Sequence, residues 1–336
     1  SWIEEDSCKK EIAVEYRKVK KDVYGFTSHN YVDGKTIVID PVPIRLWGTY
    51  YGGEGEENSF NGIVKTNNQF IYIGGYTTST ANISTSGSYQ PSFVYAVDAF
   101  ITKFDSNGQR VWSTYYGGSH SDIFRAIDFD LNDNIYATGI TGSTNNIATP
   151  GTHQTIYNDW YDGMLIKFDA NGQRIWGTYY GGEGVEEITS IKIDYNQDVI
   201  IAGGSHSKNN IATANSFKSV VPSASHGNNQ GEDGFLAKFT ANGQRIWATY
   251  YGGNDGHDWI SSIDIDLNNN IFCSGTTSSF QGIATSGSYR ETFNYKTILW
   301  NDTFVVKFNT DGERLFGTYY GGLDYDVNSQ ILIDKE

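Results

Sequence analysis

The chain has 336 residues, of which 38 are glycine, 15% are aromatic, 5 are proline and 1 is methionine. Its formal net charge of −15 and pI near 4.7 exclude nucleic acid as a natural partner, because phosphates demand a Lys/Arg surface that releases their counterions. No apolar run approaches the roughly 20 residues of a spanning helix, so no transmembrane segment is expected, and the absence of sustained 3.6-residue periodicity points to an all-β protein.

Residues 1–44 contain EIAVEYRKV and GKTIVIDPV, which read as strands around a polar loop. This segment reads as the tail of a preceding β domain and a linker, entering the rest of the chain through Pro41 and Pro43. Its opening, SWIEEDSCKK, carries no packing signal. It has neither a charged n-region nor an apolar h-region, so any secretion signal has been removed or lies outside this sequence. Cys8 and Cys273 cannot make a disulfide framework. Cys273 occupies a repeat position held elsewhere by Ile73, Ala137 and Ala202, and reads as a small buried thiol.

From residue 45 onward one phrase recurs: WGTYYGG from Trp47, WSTYYGG from Trp112, WGTYYGG from Trp176, WATYYGG from Trp247 and FGTYYGG from Phe316. The steps are 65, 64, 71 and 69 residues, so a whole unit is repeated. In the second unit, FRAIDFD (124–130), NIYATGIT (134–141), GMLIKFD (163–169) and RIWGTYYG (174–181) read as four strands, a to d, rich in β-branched and aromatic residues. Asp/Asn turns such as DLNDN (130–134) join a to b, and Asn-Gly turns such as DANGQR (169–174) join c to d. Two hairpins linked by a longer b-to-c loop, at this period, specify a β-propeller of four-stranded blades.

The expected blades are 54–118, 119–182, 183–253 and 254–322, with a lone strand d at 45–53 and a partial unit at 323–336, whose lone strand a is VNSQILID (327–334). The strand beginning a further unit suggests that more blades follow.

An acidic residue recurs after each Gly-Gly, at Glu57, Asp122, Glu186 and Asp326, with His257 then Asp258 in the fourth unit. If these loops share one end of a propeller, the carboxylates form a ring suited to Ca²⁺, a hard cation that takes six to eight oxygens. The alternative is that each accepts backbone N–H groups where strand a begins. Asp98 with Lys103, and likewise Asp162/Lys167, Asp233/Lys238 and Asp302/Lys307, stand five apart on strand c and so on opposite faces, which suits contacts between blades. The spacing Asp128, Asp130, Asn132, Asn134 lacks the glycine and glutamate of an EF-hand and reads as an Asx-turn.

No catalytic motif emerges. Glycoside hydrolysis needs two carboxylates about 5–10 Å apart; Glu232 and Glu291 stand outside the repeat without distinguishing context. The histidines show no metal-ligand spacing and no GxSxG elbow is present. The units differ most in the b-to-c loops, 78–97, 142–161, 205–232 and 277–301, which share an opening phrase (NISTSGSYQ, NIATPGTHQ, NIATANSFK, GIATSGSYR) and then diverge. The divergent parts carry Phe93, Tyr95, Tyr157, Trp160, Tyr161, Phe293, Tyr295 and Trp300, and also His226. Such aromatics stack on sugars or anchor protein partners; the alternative is that they cover blade edges.

The phrase IDPVPIRLWGTYYGG (39–53), followed by units of the form TYYGG, IDFD, NIYATGITGST and DGMLIKFDANGQRIW, resembles the bacterial SBBP-type β-propeller repeat from about residue 35 onward. The resemblance implies a large secreted or surface-attached bacterial protein, in an asparagine-rich style similar to Bacteroidota members that leave by the type IX system. It brings no catalytic residues. The expected function is a non-catalytic extracellular module for binding, adhesion or scaffolding, with no cofactor apart from the Ca²⁺ option. Expected partners are other domains of the same polypeptide, a surface glycan or protein, and the secretion machinery. The alternatives are a polysaccharide-processing propeller enzyme and a passive secreted cargo domain.

Overall fold

The computed structural model describes residues 2–5, 8–20, 23–28, 37–38, 47–59, 64–67, 70–221, 232–293, 301–326 and 330–334. They form two compact units, Ser1–Thr49 and Tyr50–Glu336. The regular elements are all strands, and among the described residues no helix is long and apolar enough to cross a membrane.

In the first unit, Trp2–Glu5 pairs antiparallel with both Cys8–Glu11 and Ile37–Val38, and Val14–Lys20 pairs with Val23–Ser28. The opening residues, silent in sequence, are therefore strands.

The second unit holds four sheets that follow one another along the chain. Sheet 2 is Asp122–Phe129, Ile135–Thr141, Asp162–Phe168 and Arg174–Tyr180, hydrogen-bonded in chain order as an antiparallel meander. Sheet 3 (Glu186–Ile193, Val199–Ser205, Asp233–Phe239, Arg245–Tyr251) and sheet 4 (Asp258–Ile265, Ile271–Thr277, Asp302–Phe308, Arg314–Tyr320) repeat it. Sheet 1 differs in that strand a is divided into Glu57–Asn58 and Val64–Asn67, both paired with Phe70–Thr77; Asp98–Phe104 and Arg110–Tyr116 complete it.

The turns carry the expected chemistry. Asp130 Oδ1 accepts from the backbone of Asn132 and Asn134 at 2.9 and 3.0 Å, closing an Asx-turn in which Asp133 has φ of 61°. Gly172 at the c-to-d tip has φ of 79°, where a side chain would be strained.

Two expected strands are corrected. Residues 47–53 are irregular, and residues 330–334 are likewise irregular, with 45–46 and 327–329 outside the described residues. A strand needs a ladder partner, and among the described residues neither segment has one. Yet each keeps contacts of its expected unit: Tyr51 bonds Ser113 Oγ at 2.7 Å, and the backbone N–H of Ile331 and Ile333 donate to Ser262 Oγ and Asp264 Oδ2 at 3.2 and 2.8 Å.

Consecutive sheets pack face to face. One apolar cluster joins Tyr72, Ile101 and Trp112 of sheet 1 to Phe124, Ile166 and Phe168 of sheet 2, and two further clusters join sheets 2 to 3 and 3 to 4. Three of the phrase tryptophans lie against the c-to-d turn of the next sheet, with Nε1 of Trp112, Trp176 and Trp247 donating to the carbonyls of Ala170, Ala241 and Thr310, each at 3.0 Å. The paired tyrosines divide the work. The first bonds within its own sheet, as Tyr179 to the Ser143 carbonyl (2.8 Å); the second reaches forward, as Tyr180 to the Ile211 carbonyl (3.0 Å). Cys273 is buried, which pushes its thiol up and keeps it unreactive.

Candidate functional site

The register places the start of strand a, the end of b, the start of c and the end of d at one end of every sheet: Asp122 lies opposite Thr141, Thr141 opposite Asp162, and Gly163 opposite Tyr180. All b-to-c loops and the Gly-Gly turns therefore share that end.

The recurring acids do not converge into a ring of ligands; each is taken up by its own sheet. Asp122 accepts from the Gly118 backbone N–H at 2.8 Å and from Ser143 Oγ at 2.7 Å, with Thr141 Oγ1 on its other oxygen. Glu57, Glu186 and Asp258 accept from Gly53, Gly182 and Gly253 and from Ser79, Ser205 and Ser279 in the same way. Asp326 accepts from the Gly322 N–H. Among the described residues no group of three or more His, Cys, Asp or Glu is set to hold a metal ion.

Asp122, Glu186, Asp258 and Asp326 each have a second carboxylate beside them. A Cβ on Gly181 would lie 2.2 Å from Asp162 Oδ1 and 2.6 Å from Glu186 Oε2, and Gly117, Gly252 and Gly321 are wedged likewise between Asp98/Asp122, Asp233/Asp258 and Asp302/Asp326. Burial pushes Asp98 and Asp122 up to about 6 and Asp162 and Asp258 up to about 7, with the neighbouring carboxylate adding to the rise at Asp98, Asp162 and Asp258. The last residue of the shared loop phrase caps the pair. Gln154 donates to Asp162 Oδ2 at 3.0 Å and accepts from the Gly181 N–H, whereas Lys218 pairs directly with Asp233 at 2.6 Å.

The lysines of strand c contact their own sheet and the next. Lys167 stands 3.3 Å from Asp130 of its own sheet and 3.5 Å from the Ala241 carbonyl of the next; Lys238 pairs with Asp194 at 2.8 Å.

The loop aromatics split into two groups. Phe93, Tyr157 and Phe293 turn inward, edge-on to the first tyrosine of their unit: Tyr115, Tyr179 and Tyr319 at 6.0, 5.8 and 5.8 Å. Phe293 is buried, and Phe93 and Tyr157 are half-buried against the core. Tyr95, Trp160 and Tyr161 are 44%, 71% and 40% exposed. Trp160 has φ of 57°, unusual for so bulky a residue. Tyr161 lies over Gly142, which also abuts His120, and His120 meets the Tyr95 ring at 5.4 Å. Tyr295, Trp300 and His226 lie outside the described residues. Sequence reading missed His120 and the Glu232 cluster, where His206 Nε2 and His257 Nδ1 each stand 3.8 Å from Glu232 Oε2. The signal was available: all three depart from the residues at the matching positions of other units.

Residues 246–280 match the family model described as SBBP, beta-propeller repeat. Over 211 residues, or 61% of its length, the chain is 24% identical to an uncharacterized WD repeat-containing protein, L264, of Acanthamoeba polyphaga mimivirus, of which it spans 13%. Solved structures with similarity include a GH43_12 retrieved from capybara gut metagenome (TM-score 0.36, 12% identity, 77% of this chain and 41% of that one). Another is a GH43_1 enzyme from Xanthomonas citri (TM-score 0.31, 7% identity, 83% of this chain and 88% of that one). The phrases of the matched segment recur in the other sheets of the second unit, so the repeat along this chain is similar to the SBBP beta-propeller repeat.

Proposed function

We propose that this chain is a non-catalytic binding module of a larger extracellular bacterial protein, and that its ligand surface is the sheet end bearing the b-to-c loops. The observation that carries the reading is Trp160. Its neighbour Tyr157 packs inward as its counterparts do, while Trp160 is held in a left-handed backbone and turned to solvent beside the half-exposed Tyr161. Large aromatics kept in water at the tip of a rigid scaffold are suited to stacking on sugar rings or anchoring a partner. A surface glycan is the favoured ligand.

Glycan-array binding by the chain is expected, and Trp160→Ala is expected to weaken it by about tenfold, as for one aromatic anchor, with an unchanged melting temperature. Equal binding by both proteins would remove the face from consideration.

Glu232 favours a second reading, polysaccharide cleavage. Burial raises this carboxyl, the adjacent His206 and His257 oppose that rise, and the raised state is the one a general acid needs. Release of reducing ends from a polysaccharide, abolished in Glu232→Gln, is the result that would establish it over the first.

A further inference from the structure

Strand d of sheets 2, 3 and 4 opens with an arginine, and the b-to-c loop of the preceding sheet lays a ring against it. The Arg174 guanidinium lies 4.9 Å from the Tyr89 ring centroid, and that of Arg314 lies 4.6 Å from Phe217. At the junction of sheets 2 and 3 the matching ring is His153, beside Arg245. Burial, with Arg245 adding to it, drives the imidazole down to about 4, so it is neutral at physiological pH and presents one donor and one acceptor.

Arg245 is half-buried and donates through Nη1 to the carbonyls of Asn210 and Ile211, both at 2.8 Å. Among the described residues it has no carboxylate partner, and a guanidinium has further donors in its fork. These groups line a cavity of about 310 Å³, with Asn158 and Asn210 supplying amides and Ile156, 74% exposed, an apolar wall. That is room for about one sugar ring. A cation without an acid, a neutral imidazole and amides recognise a hydroxyl-rich ligand carrying one negative charge. The protein's own charge of −15 repels a polyanion, so a single acid group is favoured over many.

Resting on the glycan-binding reading above, we infer that the cavity formed by His153, Asn158, Asn210 and Arg245 binds a carboxylate-bearing sugar residue, a hexuronate, within an otherwise neutral glycan. Arg245 takes the carboxylate and His153 and the amides take hydroxyls.

The test is calorimetric titration with a trisaccharide ending in glucuronate and with the same trisaccharide as its methyl ester. The acid is expected to bind at least about tenfold more tightly, the scale of one hydrogen bond to a charged group. Arg245→Gln is expected to abolish that preference, whereas His153→Phe, which installs the residue that Phe217 already provides in the next sheet and so keeps the fold, is expected to weaken acid and ester alike by loss of a hydroxyl contact. Equal binding of acid and ester, no binding of either, an acid preference that survives in Arg245→Gln, or unchanged binding in His153→Phe, would overturn the inference. If binding of neutral glycans is lost in Trp160→Ala while acid and ester bind alike, the loop-face reading stands and this one falls.

Discussion

Replacing Trp176 with alanine is expected to destabilise the four-sheet unit by about 3–5 kcal/mol, the usual cost of emptying a large aromatic core position. The side chain is 7% exposed and meets Tyr136 edge-on at 6.0 Å. Its six-membered ring covers Gly243 so closely that a Cβ there would stand 3.1 Å away, and Nε1 donates to the Ala241 carbonyl. Removal therefore empties the space between sheets 2 and 3 and leaves the Ala241 carbonyl with only the longer contact from Lys167 Nζ. Trp176→Phe, which restores the residue of Phe316, is expected to cost only about 1–2 kcal/mol by keeping the ring and losing the hydrogen bond. Urea denaturation of both variants checks this; an unchanged midpoint for Trp176→Ala would show that the ring is not part of the core.

The second large effect is on the pH dependence of stability. Asp98, Asp122, Asp162 and Asp258 have folded-state pKa values of about 6 to 7, against an ordinary 3.8, chiefly through burial. Between about pH 4 and pH 7 the folded chain holds protons that the unfolded chain has released. Stability is therefore greatest at the acid end of that window and falls as pH rises through the folded values. Below the window the sign reverses. Asp130 and Asp266, which burial alone would raise, are held below the ordinary range by hydrogen bonds from Asn134 and Asn270, and that stability is lost as pH falls through their folded values. The melting temperature is expected to be several degrees higher near pH 5 than at pH 8. Gln154→Lys, which gives the Asp162/Glu186 pair the cation that Lys218 gives Asp233, should flatten part of that slope. A profile rising from pH 5 to pH 8 would contradict the burial of these pairs.

Much of this was legible in the sequence because a repeat makes each observation several times over. Strand positions in the second unit fall within about two residues of the structural ones, since Asn-Gly and Asp/Asn turns fix hairpin ends through backbone conformation rather than distant contacts. Other features were hidden for definable reasons. Asp98 and Asp122 are separated by two strands and two turns, so their pairing exists only once sheets stack. The two tyrosines of one phrase point to different neighbours, which a linear motif does not encode. The inward turn of Phe93, Tyr157 and Phe293, which stand at one distance past the end of strand b, was hidden because it is set by packing on the tyrosine of a later strand, and Trp160 stood out from Tyr157 only in its backbone and exposure.

The forward-reaching tyrosines and tryptophans have a bearing on how such proteins can be rebuilt. Tyr116, Tyr180 and Tyr251 all find the carbonyl of an isoleucine in the next sheet, at 2.9, 3.0 and 2.9 Å, and Trp112, Trp176 and Trp247 all find the same turn carbonyl. Each seam is thus made from the same parts, and the divergent stretch of the b-to-c loop contributes few of them. Any seam should accept any unit, so that segments cut just after Gly-Gly become interchangeable cassettes, and a loop with a chosen specificity could be transplanted together with the sheet that carries it.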